Sequence, residues 1–334
     1  AGCLGQILEK SETSIVAAKP LVIAIVGPTC TGKTRLAIEL GQKLKTLAGK
    51  TAEVLACDSR TVYRHMDIGT AKPSLAEQAG IKHHMLDLVD PSQVYTAANF
   101  KEDGEKVLAA LISQGKVPIV CGGTGLYARV LLEGMNIPSV PPNEKLRGEL
   151  QQLVEEKGVE ALHEILEELD PDSLKRIQKN DVFRLSRAIE VSRALGLPFS
   201  QAAGRSDVPY DVLWLFLNVD DRQVLRKRII DRLQEQVKAG VVDETRHLLL
   251  RFGRSQSLVN AVPYKEYLQF LDGQIDLDTA HEEAVKHNYQ LARRQIMWFR
   301  ANKNAINICV DKSSEKEQFE ISMKEISLKL ALQK

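Results

Sequence analysis

The stretch GPTCTGKT, Gly27 to Thr34, follows the apolar run LVIAIV and precedes RLAIELGQKL. Six consecutive apolar residues fit a strand buried on both faces, and the segment after the turn has helical periodicity. Between them, Gly27, Pro28, Thr29, Cys30, Thr31, Gly32, Lys33 and Thr34 match the spacing GxxxxGK[ST]. The glycines let backbone N–H groups turn inward on phosphate oxygens, while Lys33 adds a point charge and Thr34 a magnesium ligand at a helix N-terminus. The segment therefore reads as a P-loop. It leaves open whether a nucleotide is hydrolysed, whether its phosphate is transferred, or whether another molecule carries the phosphates.

Working outward, AEVLAC and KVPIVCGG are further strand-like runs, each followed by a loop or helix pattern, and VLWLFLNVD and INICV come later. Strand and helix in alternation imply right-handed crossovers and a parallel sheet covered on both faces. The expected fold is α/β, a P-loop NTPase-like three-layer core with a mostly α-helical insertion. Prolines 138, 141 and 142 break the alternation, and the charged, helix-forming stretch beyond them reads as the insertion. The expected divisions are a leader at 1–20, a core at 21–140 and 207–311, an insertion at 141–206 and a C-terminal helix at 312–334. In that last segment Phe319, Met323 and Ile326 recur at helical spacing.

Composition narrows the partners. The 334 residues hold 45 Lys+Arg against 44 Asp+Glu, a formal charge of +1, so no global field draws the chain to DNA or to an anionic membrane. Any polyanion must meet local clusters. Cys3, Cys30, Cys57, Cys121 and Cys309 show no CxxC spacing, which fits small apolar residues in a reducing cytoplasm and no zinc site. No apolar run reaches membrane-spanning length. A soluble, cytoplasmic monomer is expected.

A P-loop ATPase places a carboxylate at the end of a neighbouring strand to hold magnesium. Here the run VPIVCGGTGLY ends in a hydroxyl, Thr124, and the alternative acid is Asp58 after AEVLAC. In the basic helix DRQVLRKRIIDRLQEQVKAG, Arg228 and Arg232 stand at i and i+4 and share a face. His83 and His84 are adjacent, a poor arrangement for joint metal ligation, and read as structural. KHNYQLARRQIMWFR interleaves Arg293, Arg294 and Arg300 with aromatics; packing is expected for Trp298 and Phe299, RNA backbone or ion pairs for the arginines.

Taken in order, GPTxxGKT, DSRxVYRxMDIGTAKP, HHxxDxxDP, GGTGLY, NDxxRLxRAxEV and ARRQxxWFR resemble the bacterial tRNA dimethylallyltransferase (isopentenyltransferase) family, over about Leu21 to Arg300. The resemblance implies transfer of a dimethylallyl group from dimethylallyl diphosphate to N6 of the adenosine 3′ of the anticodon, position 37, in tRNAs reading codons that begin with U. The phosphates in the cradle would then belong to a leaving group. It implies roles for Lys33 and Arg232, and less strongly Arg228, on the diphosphate, with Thr34 helping to place Mg²⁺. Asp58 is the implied base, and Thr124 is expected near the bridging oxygen. The implied partner is the tRNA anticodon stem-loop, contacted by Asp58, Ser59, Arg60 and Thr61, by Phe183, Arg184, Leu185, Ser186 and Arg187, and by Asn260, Tyr264 and Lys265. Arg293 and Arg294 are added as RNA-backbone candidates.

Three positions depart from the family pattern: Thr61 where Gln is frequent, Pro263 where Gly precedes Tyr264, and His287-Asn288 where a Thr-Arg pair is usual. They bear on base reading and leave the diphosphate cradle untouched. Competing readings are an adenylate isopentenyltransferase acting on free nucleotides, a P-loop small-molecule kinase, and a nucleotide-gated RNA-binding module.

Overall fold

The computed structural model describes residues 18–331; the expected leader at 1–20 and Cys3 fall largely outside this span. Six parallel strands run in the order β3-β2-β4-β1-β5-β6. They are β1 (Leu21–Val26), β2 (Ala52–Ala56), β3 (His83–His84), β4 (Val117–Gly122), β5 (Asp211–Asn218) and β6 (Ile306–Cys309). The short edge strand β3 has no counterpart in the sequence reading, because two histidines carry no alternating pattern.

Central β1 explains the three layers. Ile23 and Ile25 face a cluster with Leu36, Leu40 and Leu44 of helix α1 (Lys33–Ala48). Val22, Ala24 and Val26 face the opposite cluster with Phe100 and Leu108 of α2 (Ala97–Ser113) and Val130 and Leu131 of α3 (Gly125–Leu132). Period-two alternation inside an all-apolar strand thus feeds two cores, each buried Leu or Ile contributing about 1.5–3 kcal/mol.

Between β4 and β5 lie α4 (Glu144–Lys157), α5 (Glu160–Leu169), α6 (Pro171–Leu174), α7 (Val182–Leu195) and α8 (Phe199–Ala202). They close their own apolar cluster, in which Leu150, Leu162 and Leu166 meet Leu185, Ala188 and Ile189. The incoming and outgoing segments are tied side by side: Asn136 N donates to Gly204 O at 2.9 Å and Ser206 N to Gly134 O at 2.8 Å. Buried Glu190 accepts from Asn143 N, Arg147 and Arg187. Burial alone would raise its carboxyl, but these donors outweigh burial and hold it below the usual range.

After β5 come α9 (Arg222–Lys238), α10 (Val241–Phe252), α11 (Gln256–Val259), α12 (Tyr264–Leu271) and the long α13 (Leu277–Arg300). Helix α14 (Glu315–Ala331) follows β6 and packs Phe319, Met323 and Ile326 on the α1 side of the sheet. No helix among the described residues is long and apolar enough to cross a membrane.

Candidate active site

The carboxyl ends of β1, β4 and β2 meet at one place, the usual ligand position of an open parallel sheet. The cradle leaves β1 at Gly27, whose φ of 148° and close approach to Leu217 O leave no room for a Cβ. Gly122, at the end of β4, lies equally hard against Cys57 O. Thr31 Oγ1 donates to Pro28 O at 2.9 Å and Lys33 Nζ to the same carbonyl at 2.5 Å, so the loop is braced internally.

A cavity of about 120 Å³ opens from the cradle. Thr29, Lys33, Thr34 and Arg232 wall one end, and Asp58, Gly122 and Gly123 stand beside them. Val54, Ala56, Leu86 and Pro73 line an apolar portion. Burial pushes the Lys33 ammonium below its ordinary value, and neighbouring Arg232 pushes the same way. Cys121 also lines the cavity, but burial pushes its thiol up to about 11, so it is a neutral wall group and no nucleophile.

Arg232 donates to Thr29 Oγ1 at 2.6 Å and to Thr70 O at 3.2 Å, joining α9, the cradle and the loop after β2. Arg228 turns away from the cavity, reaching Cys30 O at 3.4 Å and Val310 O at 3.3 Å. The two arginines share a helix face, but Arg228 braces the cradle from behind. This replaces the expected diphosphate contact with a supporting one.

Asp58 Oδ1 accepts the backbone N–H of Arg60 at 2.7 Å, a local turn that aims the carboxylate at the cavity. Arg60 in turn donates to Ser257 O and Asn260 O, at 3.3 and 2.9 Å, anchoring this loop on α11. Thr124 sits at the N-cap of α3 without a side-chain cap bond. Its Oγ1 instead accepts Ser59 N at 3.0 Å, which ties the β4 and β2 loops together just behind Gly123.

Two supporting residues escaped the sequence reading. Gln295 of α13 accepts Thr29 N at 2.9 Å and donates to Gly123 O at 3.0 Å, stitching cradle to β4 loop. Glu244 of α10 accepts Asp67 N, Ile68 N and Gly69 N at 2.8–3.1 Å. Gln295 lay in view within ARRQ, but its partner Thr29 is 266 positions away, and no local pattern reports such a pairing.

Several expected RNA contacts need correction. Tyr264 is fully buried, its hydroxyl donating to Glu244 at 2.6 Å. Leu185 is fully buried in the α7 cluster. Neither side chain can touch RNA. Arg187 is engaged by Glu190 and donates to Val140 O at 2.8 Å. Phe183, by contrast, is 74% exposed on the first turn of α7, beside exposed Arg184. Ser186 is half-buried on the same helix, Ser59 is half-buried, and Asn260, Arg293 and Arg294 are exposed; Lys265 lies 3.4 Å from Glu266. Of the packing expectations, Phe299 is buried, and Trp298 lies under the Arg129 guanidinium at 4.7 Å.

A parallel α/β sheet whose phosphate cradle opens into a cavity walled by an acid and by apolar side chains defines a P-loop-like group-transfer protein. Within that class, this chain belongs to the IPP transferase family, whose model matches residues 61–302. A tRNA dimethylallyltransferase of Thermomicrobium roseum is 40% identical over 283 residues, 84% of this chain and 84% of the relative. One from Geobacillus thermodenitrificans is 36% identical over 307 residues, 91% and 94% of the two chains. The crystal structure of the tRNA isopentenylpyrophosphate transferase of Bacillus halodurans aligns with a TM-score of 0.69 at 32% identity, covering 94% of this chain and 98% of that one.

Proposed function

We infer that the chain is a tRNA dimethylallyltransferase, moving a dimethylallyl group from dimethylallyl diphosphate to N6 of adenosine 37 in tRNAs that read codons beginning with U. The observation that carries this reading is the cavity's composition: phosphate-binding groups at one end, a carboxylate beside them, and an apolar lining that a phosphoryl acceptor does not need. The family and its tRNA-modifying relatives support the same assignment.

In the proposed reaction the C1–O bond of the allylic diphosphate breaks as the C1–N6 bond forms, and diphosphate leaves with the electron pair. Lys33, Arg232 and the cradle N–H groups neutralise the charge that grows on the leaving group. An adenine amine is a weak nucleophile because its lone pair is delocalised. Asp58, held through Oδ1 by Arg60 N, orients the amine and takes its proton. Gln295 and Thr124 act as positioning residues, fixing the β1, β2 and β4 loops against one another.

Among the described residues no group of three His, Cys, Asp or Glu side chains is placed to hold a metal ion. The set present, a Thr34 hydroxyl on the cavity wall and no dedicated acidic cage among the described residues, fits Mg²⁺, and Thr34 is the residue that would hold it. Such an ion supplies further charge neutralisation on the diphosphate.

Incubation with unmodified tRNA, AMP and ATP, each with and without dimethylallyl diphosphate, followed by mass spectrometry, tests the assignment. Gain of one five-carbon unit on tRNA alone is expected. The same gain on free nucleotide, or phosphate on any acceptor, would overturn it.

A further inference from the structure

The end of the cavity remote from the cradle is not wholly apolar. His83 on β3 and Thr61 in the loop after β2 both line it, beside Val54, Ala56, Leu86 and Pro73. His83 Nδ1 lies 2.8 Å from Ile81 O. A carbonyl only accepts, so Nδ1 carries the hydrogen and Nε2 is left as an acceptor in the neutral ring. Burial lowers the His83 pKa, with His84 acting in the same direction, which keeps the ring neutral. Nε2 is buried and no group among the described residues meets it; the same holds for Thr61 Oγ1, on a residue only 6% exposed.

Two buried polar atoms without protein partners are costly unless water or a ligand in the cavity supplies what they need. Their chemistry is complementary. Nε2 requires a donor, whereas a threonine hydroxyl can donate or accept. Both residues line the same cavity, and one ligand hydroxyl has the chemistry that both lack: it can give its hydrogen to His83 and accept one from Thr61. The transferred-to amine does not meet this description at the same place. It must stand at Asp58, while His83 is on the next strand out and level with Val54, four residues before Asp58 along β2. From β1 to β3 is three strand spacings, roughly 14 Å, so His83 marks the end far from the phosphates.

We propose that the site also takes an allylic five-carbon diphosphate bearing a hydroxyl on its distal carbon, selected by His83 and Thr61. This rests on the transferase reading above. The step is unchanged: C1–O breaks, C1–N6 forms, the N6 proton goes to Asp58, and diphosphate departs. The hydroxyl is carried over intact, so no oxidant is required.

The test is a competition on an unmodified tRNA anticodon stem-loop, with equimolar dimethylallyl diphosphate and 4-hydroxy-3-methylbut-2-enyl diphosphate and Mg²⁺ present. The two products differ by one oxygen in mass. The wild-type chain should form both, with kcat/KM values within about tenfold of each other. His83→Leu and Thr61→Val should each lower the hydroxylated-to-plain product ratio tenfold or more, whereas His83→Gln, which retains an acceptor, should keep most of it. If His83→Leu fails to fold, Thr61→Val decides by the same ratio. Plain product alone from the wild type, or a ratio unmoved by the variants, overturns this inference and leaves the transferase assignment standing. Product from neither donor overturns both.

Discussion

Asp58 lies just beyond β2 with one carboxylate oxygen committed to Arg60 N, so in the proposed reaction it would meet the substrate amine in a fixed orientation. Asn in its place keeps that oxygen and the turn but cannot take a proton. Asp58→Asn should lower the single-turnover transfer rate by about 10²–10⁴-fold, with diphosphate and tRNA affinities nearly unchanged. A wild-type chemical step in that variant would remove Asp58 from the mechanism. Lys33 makes a pH prediction. Its pKa is lowered by burial and by Arg232, so its neutral fraction grows at a lower pH than for an ordinary lysine. Diphosphate favours the cation. Affinity for inorganic diphosphate should therefore fall as pH rises through the lowered pKa, with proton uptake on binding. Lys33→Met should bind more weakly and lose that part of the slope; calorimetry in buffers of different ionisation enthalpy measures both effects.

The loops after β1, β2 and β4 carry these side chains, and they differ in how far they can be read from sequence. The cradle is legible because glycine spacing, a preceding apolar run and a following helix all act within a few residues. GGTGLY is legible for the same reason, with Gly122 forced by its contact with Cys57 O. What could not be read is the bracing from distant helices. Tyr264 looks like an exposed aromatic in NAVPYKE, yet it is buried because Glu244, from α10, caps the Asp67–Gly69 backbone and takes its hydroxyl as well. Arg187 likewise looks free until Glu190 and Val140 O are placed around it. The Glu244 arrangement is itself testable. Glu244→Gln puts an amide donor against one pair of its donors, and should destabilise the protein by about 1–3 kcal/mol in denaturant titration. Because the same loop supplies Thr70 O to Arg232, diphosphate binding should weaken too. Unchanged stability and binding would show that the cap does not hold the loop.

At the scale of the whole molecule, a chain with a formal charge of +1 must take hold of a polyanion by local means. The α4–α8 helices offer such a means: α7 turns Leu185, Ala188 and Ile189 into its own core and leaves Phe183 and Arg184 on the outside. An apolar ring of that size, 74% exposed at the first turn of a helix, has little packing role among the described residues. It suits a base taken out of the stacked anticodon loop, whose lost stacking must be replaced. Phe183→Ala should therefore weaken tRNA binding by about 1–3 kcal/mol, roughly five- to 150-fold, while diphosphate binding in the sheet core stays as it was. Arg184→Ala should act through the phosphates instead, reducing the slope of log affinity against log salt by about one. Filter binding of an anticodon stem-loop across a salt series separates the two effects. Equal loss from both variants with no change in slope would mean that α7 supports the fold and does not grip RNA.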